Sequence, residues 1–297
     1  MSLRPVANVY TARQKMEGAG VKLHRGFGFG KTSEFDPFLL FDDFRGDDPT
    51  DYSAGFPWHP HRGIETITYV LAGTEEHGDS MGNRGEIGAG DIQWMTAGRG
   101  IIHQEMPKGD PTGKMHGFQL WANLPADLKM TAPRYQEIAA RDIPEVTDDD
   151  GTRVKIVSGS FWGQRGPIDG IAADPVYLDV FVPAGIRKTL PVDTRSQAFA
   201  YIFDGAGKFA NASDPMAIAT EEGVFNTDVE NRSLVVFDSG DEVSVQAGER
   251  GIRFLLCSGR PLREPVAWHG PIVMNTQEQL QQAFEDLDRG TFLNPAA

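Results

Sequence analysis

Hydrophobic positions in this chain come in short runs, and glycine or proline punctuates nearly every gap between them. The segment Glu65–Leu71 shows the pattern well. Ile67, Tyr69 and Leu71 fall on one face, and Thr66, Thr68 and Val70 on the other. Side chains two apart on a β-strand share a face, so this alternation predicts a half-buried strand. Comparable β-rich runs lie at Asp91–Met95, Phe118–Ala122, Val154–Val157, Tyr177–Val182, Ala198–Phe203, Leu234–Phe237 and Ile252–Cys257. Short strands with regular turn signals predict an all-β barrel or sandwich. The period changes only near the end of the chain. Leu280, Ala283, Phe284 and Leu287 form an i, i+3/i+4 stripe, Thr276 with Gln279 makes a capping-box start, and Gly290 supplies a stop. A helix packed on a barrel is expected there.

A polar, turn-rich stretch at 139–151, with Pro144 and the run Asp148-Asp149-Asp150, reads as a linker. The flanks are similar in size and both strand-rich. They predict a duplicated barrel, with an N-terminal domain over 1–138 and a C-terminal domain over 139–297 that ends in the helix.

Composition narrows the function classes. The chain has 297 residues, enough to bury a substantial core. Lys and Arg number 28 against 42 Asp and Glu, a net charge of −14. Such a surface repels phosphate backbones, which argues against direct nucleic-acid binding. Cys257 is the single cysteine, so no intrachain disulfide can form, and a reducing, cytoplasmic location is expected. No apolar run of membrane-spanning length and no signal-type segment is found.

The chemistry concentrates in two short motifs, His59-Pro60-His61 and His103-Gln104-Glu105. Each is an i, i+2 pair, so on a strand each aims two side chains at one point. Two neighbouring strands would then offer three imidazoles and a carboxylate. That set suits a borderline transition metal, with Fe(II) a natural candidate where coordination positions stay open, and Ni, Cu, Zn or Mn as rivals. Six of the seven histidines lie within the first 116 residues. Only the first barrel can therefore carry this site, and one metal per chain is expected. Glu65 is the rival carboxylate: a continuous strand would put it on the face of His61, unless Arg62-Gly63 bends the chain away. His77 sits in a turn-like segment and is expected to be hydrogen-bonded locally. His24, His116 and His269 read as structural, and Cys257 as an inert buried thiol. Phe56, Trp58, Met106, Phe118 and Leu120 are candidate pocket-lining residues.

These residues resemble the pirin family of the cupin superfamily. The resemblance rests on Phe41-Asp42-Asp43-Phe44, on Gly55 through Gly63, on Gly90 through Gly100, on His103-Gln104-Glu105-Met106 and on Gly117-Phe118-Gln119-Leu120-Trp121. It continues in Pro261–Pro265 and His269–Thr276. It implies a bicupin of two antiparallel, jelly-roll-type β-barrels, with one mononuclear metal in the first. The family's ligands map onto His59, His61, His103 and Glu105. The usual cupin carboxylate falls at Glu65, which then becomes a group orienting an imidazole. Trp58 stands where many relatives carry a small or polar residue, and is expected to shape the pocket mouth.

The resemblance also implies an activity. Some bacterial members open the flavonol quercetin with O2, which points to a metal-dependent dioxygenase with a phenolic substrate. Glu105, or Glu65 if free, would act as general base. The alternative is a redox-sensitive iron-binding regulatory protein that works through protein partners. A monomer is expected.

Overall fold

The computed structural model describes residues 2–210 and 227–294. The expected runs all form strands, most of them longer than the apolar cores that announced them: Ile64–Ala72, Ile92–Thr96, His116–Asn123, Arg153–Ser158, Val176–Val182, Gln197–Phe209, Ser233–Phe237 and Glu242–Gly259. The strands pair antiparallel. Among the described residues no helix is long and apolar enough to cross a membrane.

The chain forms two compact units. Arg13–Asp142 and Leu262–Ala297 make the first, and Met1–Ala12 and Ile143–Pro261 the second. The passage between Asp142 and Ile143 falls inside the polar stretch read as a linker. The terminal segments depart from the expected 1–138 and 139–297 division, because each packs with the other half of the chain. Strand Val6–Thr11 pairs with Ser233–Phe237 in the second unit. Helix Gln277–Asp288 has the expected capping box between Thr276 and Gln279. Its buried Leu280 and Ala283 pack with Ala267, Ile272, Met274 and Phe292 in the first unit. An apolar stripe settles where a matching apolar surface waits, irrespective of sequence distance.

Two large sheets and the paired strands Ala267–His269 and Ile272–Met274 build the first unit. One runs Arg134–Ile138, Ile92–Thr96, Ile64–Ala72, His116–Asn123, Phe38–Asp43, Val21–Phe27, Arg13–Glu17. The other runs Phe56–His61, Ile101–Lys108, Thr74–Asp79, Arg84–Ile87. The strand Ile64–Ala72 is buried on both faces as far as Val70, not half-buried as its alternation predicted. The alternation still sorts its side chains. Tyr69 packs near Phe118, with ring centroids 6.5 Å apart, while Thr68 turns its hydroxyl toward Glu105. The interior of the second unit is apolar, filled by Val154, Ile156, Leu178, Val180, Ile202 and Phe254 among others. Cys257 is fully buried in strand Glu242–Gly259, and burial pushes its thiol well up, so it stays protonated and unreactive.

Between His61 and Ile64 the chain leaves one sheet for the other, turning through Gly63 at φ +79°. A Cβ there would lie 1.9 Å from the carbonyl oxygen of Val273, so both the conformation and the space require glycine. Gly63→Ala should therefore lower stability by well over the ~1 kcal/mol that left-handed strain alone costs. Gly30, at φ +89° with nothing within 4 Å of its Cβ position, supplies the control. Urea midpoints of the two alanine variants test this, and equal midpoints would refute the steric part.

Candidate metal centre

Strand Ile101–Lys108 lies between Phe56–His61 and Thr74–Asp79, and its register builds the site. His103 pairs with His59 and Ile101 with His61. A bulge after His103 then sets Glu105 opposite Phe56. The strand period points His59 and His61 the same way, and the pairing brings His103 against them. Ring centroids lie 4.3 Å apart for His59 and His103, 5.0 Å for His61 and His103, and 4.8 Å for His59 and His61. One ring nitrogen from each of the three falls within 4.8 Å of the others. Among the described residues this is the one group of its kind.

Hydrogen bonds decide the tautomers. His59 Nδ1 lies 2.9 Å from the Pro57 carbonyl oxygen, and His61 Nδ1 lies 3.0 Å from that of Pro271. A carbonyl can only accept, so each Nδ1 carries the proton and each Nε2 presents a lone pair. Those two Nε2 atoms face each other at 3.0 Å. Two lone pairs at that distance repel unless a cation lies between or beside them. His103 is fully buried, and neither of its ring nitrogens has a hydrogen-bond partner among the described residues. An orphaned buried imidazole is costly on its own and natural as a metal ligand. The donor set thus fits a transition metal.

Electrostatics agree. Burial, reinforced by the neighbouring His59, pulls His61 from its ordinary value of 6.5 to about 3, against the opposing effect of the Pro271 carbonyl. Burial, with His61, His59 and His77 nearby, also holds His103 well below its ordinary value. Both imidazoles are neutral at physiological pH and ready to coordinate.

Glu105 is buried and lines the same cavity as His59 and His61, outside the three-imidazole group. Gln119 Nε2 donates to its Oε1 at 2.8 Å, and Trp121 Nε1 donates to Gln119 Oε1 at 3.0 Å. Glu65 lies elsewhere. The turn at Gly63 carries it into the other sheet, where its carboxylate accepts from Thr96 Oγ1 at 2.7 Å. The orienting groups shown for His59 and His61 are backbone carbonyls, a role expected of Glu65 from the sequence.

The cavity has a volume of about 760 Å³. Leu40, Trp121, Phe29, Trp268, Arg25 and Asp42 contribute to its walls, along with Phe56 as expected. The other expected lining residues lie elsewhere. Phe118 and Leu120 are buried on the opposite face of their strand, which turns Gln119 and Trp121 inward. Trp58 is 55% exposed and lies over Gly78, on the strand face away from His59 and His61. It does not shape the mouth. His269, read as structural, lines the cavity and stands edge-on to Phe284. His24 forms part of strand Val21–Phe27, and His116 bonds Asp47 at 2.6 Å.

His77 has the expected local partner but not the expected turn. It lies in strand Thr74–Asp79, buried, with its ring 5.4 Å from that of His103 and its Nε2 3.3 Å from Asp79. Glu75, His77 and Asp79 share a face and stand across from Pro107, Glu105 and His103. Burial, with Glu105 as neighbour, pushes the Glu75 carboxyl well up. The alternation Glu75-x-His77-x-Asp79 was a signal of this row, but the flanking glycines and polar residues masked it as a turn.

Comparison with known proteins places these features in one family. Family models described as Pirin and Pirin C-terminal cupin domain match residues 20–122 and 177–293. A pirin-like protein of Caulobacter vibrioides is 45% identical over 98% of this chain and 100% of its own. A Pseudomonas aeruginosa protein that carries the provisional name quercetin 2,3-dioxygenase is 38% identical over 97% of each. A crystal structure of quercetin 2,3-dioxygenase from Acinetobacter baumannii superposes with a TM-score of 0.85 at 30% identity, covering 98% of each chain. A bacterial pirin from Escherichia coli, solved with nickel(II), shares the fold at 20% identity, with a TM-score of 0.61 over 86% of this chain and 100% of that one. The architecture is that of a bicupin with a three-histidine centre. The chain belongs to the pirin family.

The depressed imidazoles link stability to pH. In the metal-free protein, the unfolded chain protonates His61 near 6.5, while the folded chain resists down to about 3. Stability should be full above that upper value and fall with pH across the interval, by up to about 1.4 kcal/mol per pH unit for each such group. Metal-free His61→Gln should show a shallower decline than the unsubstituted protein in urea titrations at about pH 6, 5 and 4. Parallel declines would refute the assignment.

Proposed function

We propose that this protein is a mononuclear metal dioxygenase that opens flavonols such as quercetin with O2, using one metal held by His59, His61, His103 and Glu105. One observation carries the reading: the imidazoles of His59, His61 and His103 converge, the last two of them buried, and His59 and His61 reach the wall of a cavity of about 760 Å³. That volume suits a ligand of a few fused or linked rings. A divalent metal held there would supply Lewis-acid stabilisation for a phenolic oxygen, with His59, His61, His103 and Glu105 as its proposed holders. Fe(II) is the proposed ion. Nitrogen and oxygen donors also accept Ni, Cu, Zn or Mn, so supply within the cell decides which one loads. Pirin-family membership, and the quercetin 2,3-dioxygenase name carried by relatives, support the same reading.

The remaining roles follow from the cavity walls. Glu105 accepts the proton of the substrate hydroxyl that approaches the centre, and Gln119, itself held by Trp121, orients its carboxylate. Glu65 is buried against Thr96 and is not among the cavity-lining residues, so the base role rests with Glu105. Trp121, Trp268 and Phe29 offer ring faces and edges to a planar aromatic substrate.

Two outcomes are expected. Loss of a ligand weakens metal binding more than loss of an orienting group, which typically costs about 10–100-fold. In chelator competition, Glu105→Ala should therefore release metal more readily than Glu65→Ala, and the reverse order would move the carboxylate ligand to Glu65. The metal-loaded protein should also consume O2 with quercetin, converting the two to carbon monoxide and a ring-opened ester. His61→Ala should abolish this turnover, Phe29→Ala should raise KM, and Trp58→Ala should leave both constants unchanged. Absence of turnover with a panel of flavonols, in protein shown to hold one metal per chain, would leave the redox-linked regulatory reading in its place.

A further inference from the structure

We infer that the C-terminal segment is a working part of the metal centre, and that Arg62 is the positioning residue that couples the two. The inference rests on the three-histidine metal reading. The hydrogen-bond acceptor that orients His61 is the Pro271 carbonyl, 210 residues further along the chain. Pro271 sits at the turn between the paired strands Ala267–His269 and Ile272–Met274. This hairpin does two things at once. Its Trp268, His269 and Gly270 wall the cavity, and its Pro271 decides which nitrogen of His61 faces the metal position.

Two buried basic side chains hold the segment against the strand that carries His59 and His61. Lys129 Nζ donates to the carbonyls of Gly63 at 2.7 Å and Val273 at 2.9 Å, tying the turn after His61 to the hairpin. Arg62, 2% exposed, reaches further. Its Nη1 donates to Asp286 on the C-terminal helix at 2.7 Å, and its Nη2 to the Phe292 carbonyl at 2.8 Å. Its guanidinium carbon lies 4.2 Å from the centre of the Phe292 ring. The Arg62 carbonyl accepts from Val273 N at 3.1 Å. Neighbours on an extended chain point to opposite sides. One step of backbone therefore turns His61 to the metal position and Arg62 to the helix, and a shift of the helix is felt at the ligand.

A buried ion pair is a poor device for stability alone, since an apolar pair of similar volume often does as well. It is a good device for fixing geometry, because two directed donations to different acceptors, with stacking on Phe292, specify one placement. Arg62 thus sets the hairpin, and through Pro271 the aim of His61, without touching substrate or metal.

The test uses Co(II), whose visible absorption reports ligand geometry, with affinity read by chelator competition and no turnover required. Arg62→Met should weaken Co(II) binding by about 10–100-fold, the usual effect of losing a group that orients a ligand, and should alter the absorption spectrum. Arg62→Lys, which keeps a donor for Asp286, should recover part of both. Gln281→Ala, which removes an exposed hydrogen bond to Glu285 on the same helix, should change neither. If Arg62→Met does not fold, Asp286→Asn is read in its place by the same criteria. A folded Arg62→Met or Asp286→Asn protein with unchanged Co(II) affinity and spectrum would overturn the inference, leaving Arg62 a structural residue. A wild-type chain that binds no Co(II) would overturn the metal-centre reading and this inference with it.

Discussion

Nε2 of His59 and Nε2 of His61 face each other at 3.0 Å, each with its lone pair exposed, because the carbonyls of Pro57 and Pro271 have taken the Nδ1 protons. Burial holds His61 neutral, so a proton cannot readily relieve the repulsion. His103 adds a third imidazole with neither nitrogen hydrogen-bonded among the described residues. A folded chain keeps such an arrangement only if a cation compensates it or the surrounding structure forces it. Here the surroundings do force it. Antiparallel register sets His103 against His59, the turn at Gly63 ends the ligand strand after His61, and the C-terminal hairpin supplies the acceptor for His61.

The polar lining of the first unit extends this constraint outward. Thr68 and Gln119 pair across adjacent strands and both reach Glu105, while Trp121 steadies Gln119. Behind them stands the row Glu75, His77 and Asp79. Each of these side chains sits at an alternate strand position, with large apolar neighbours such as Phe118 and Leu120 turned the other way. The second unit shares the strand architecture, and the interior cluster of its described residues is apolar. A common scaffold carries chemistry on one side of the chain and stability on the other, according to which residues occupy the inward positions.

Contact order separates what short-range patterns can reveal from what they cannot. The helix near the end of the chain was legible down to its capping box, yet its partner surface lies in the unit formed mostly by Arg13–Asp142. The N-terminal strand likewise completes a sheet of the unit formed mostly by Ile143–Pro261. Local periodicity reports which face of an element is apolar. It does not report which apolar face elsewhere will cover it.

By itself, the sequence determined the strand-rich class, the position of most strands, the helix with both its ends, and the three histidines that converge. Those features depend on periods of two and 3.6 residues and on neighbouring side chains, all of which are local. Tertiary structure decided the rest. It separated Glu65 from the imidazoles, because a positive-φ glycine sends the strand into another sheet. It turned Trp58 away from the cavity and Gln119 and Trp121 into it, because inward parity is set by strand pairing. It moved His77 from a supposed turn into a buried strand, and it brought Pro271 across 210 residues to aim His61. Each of these depends on which distant segments meet, and that is set by the burial of complementary surfaces.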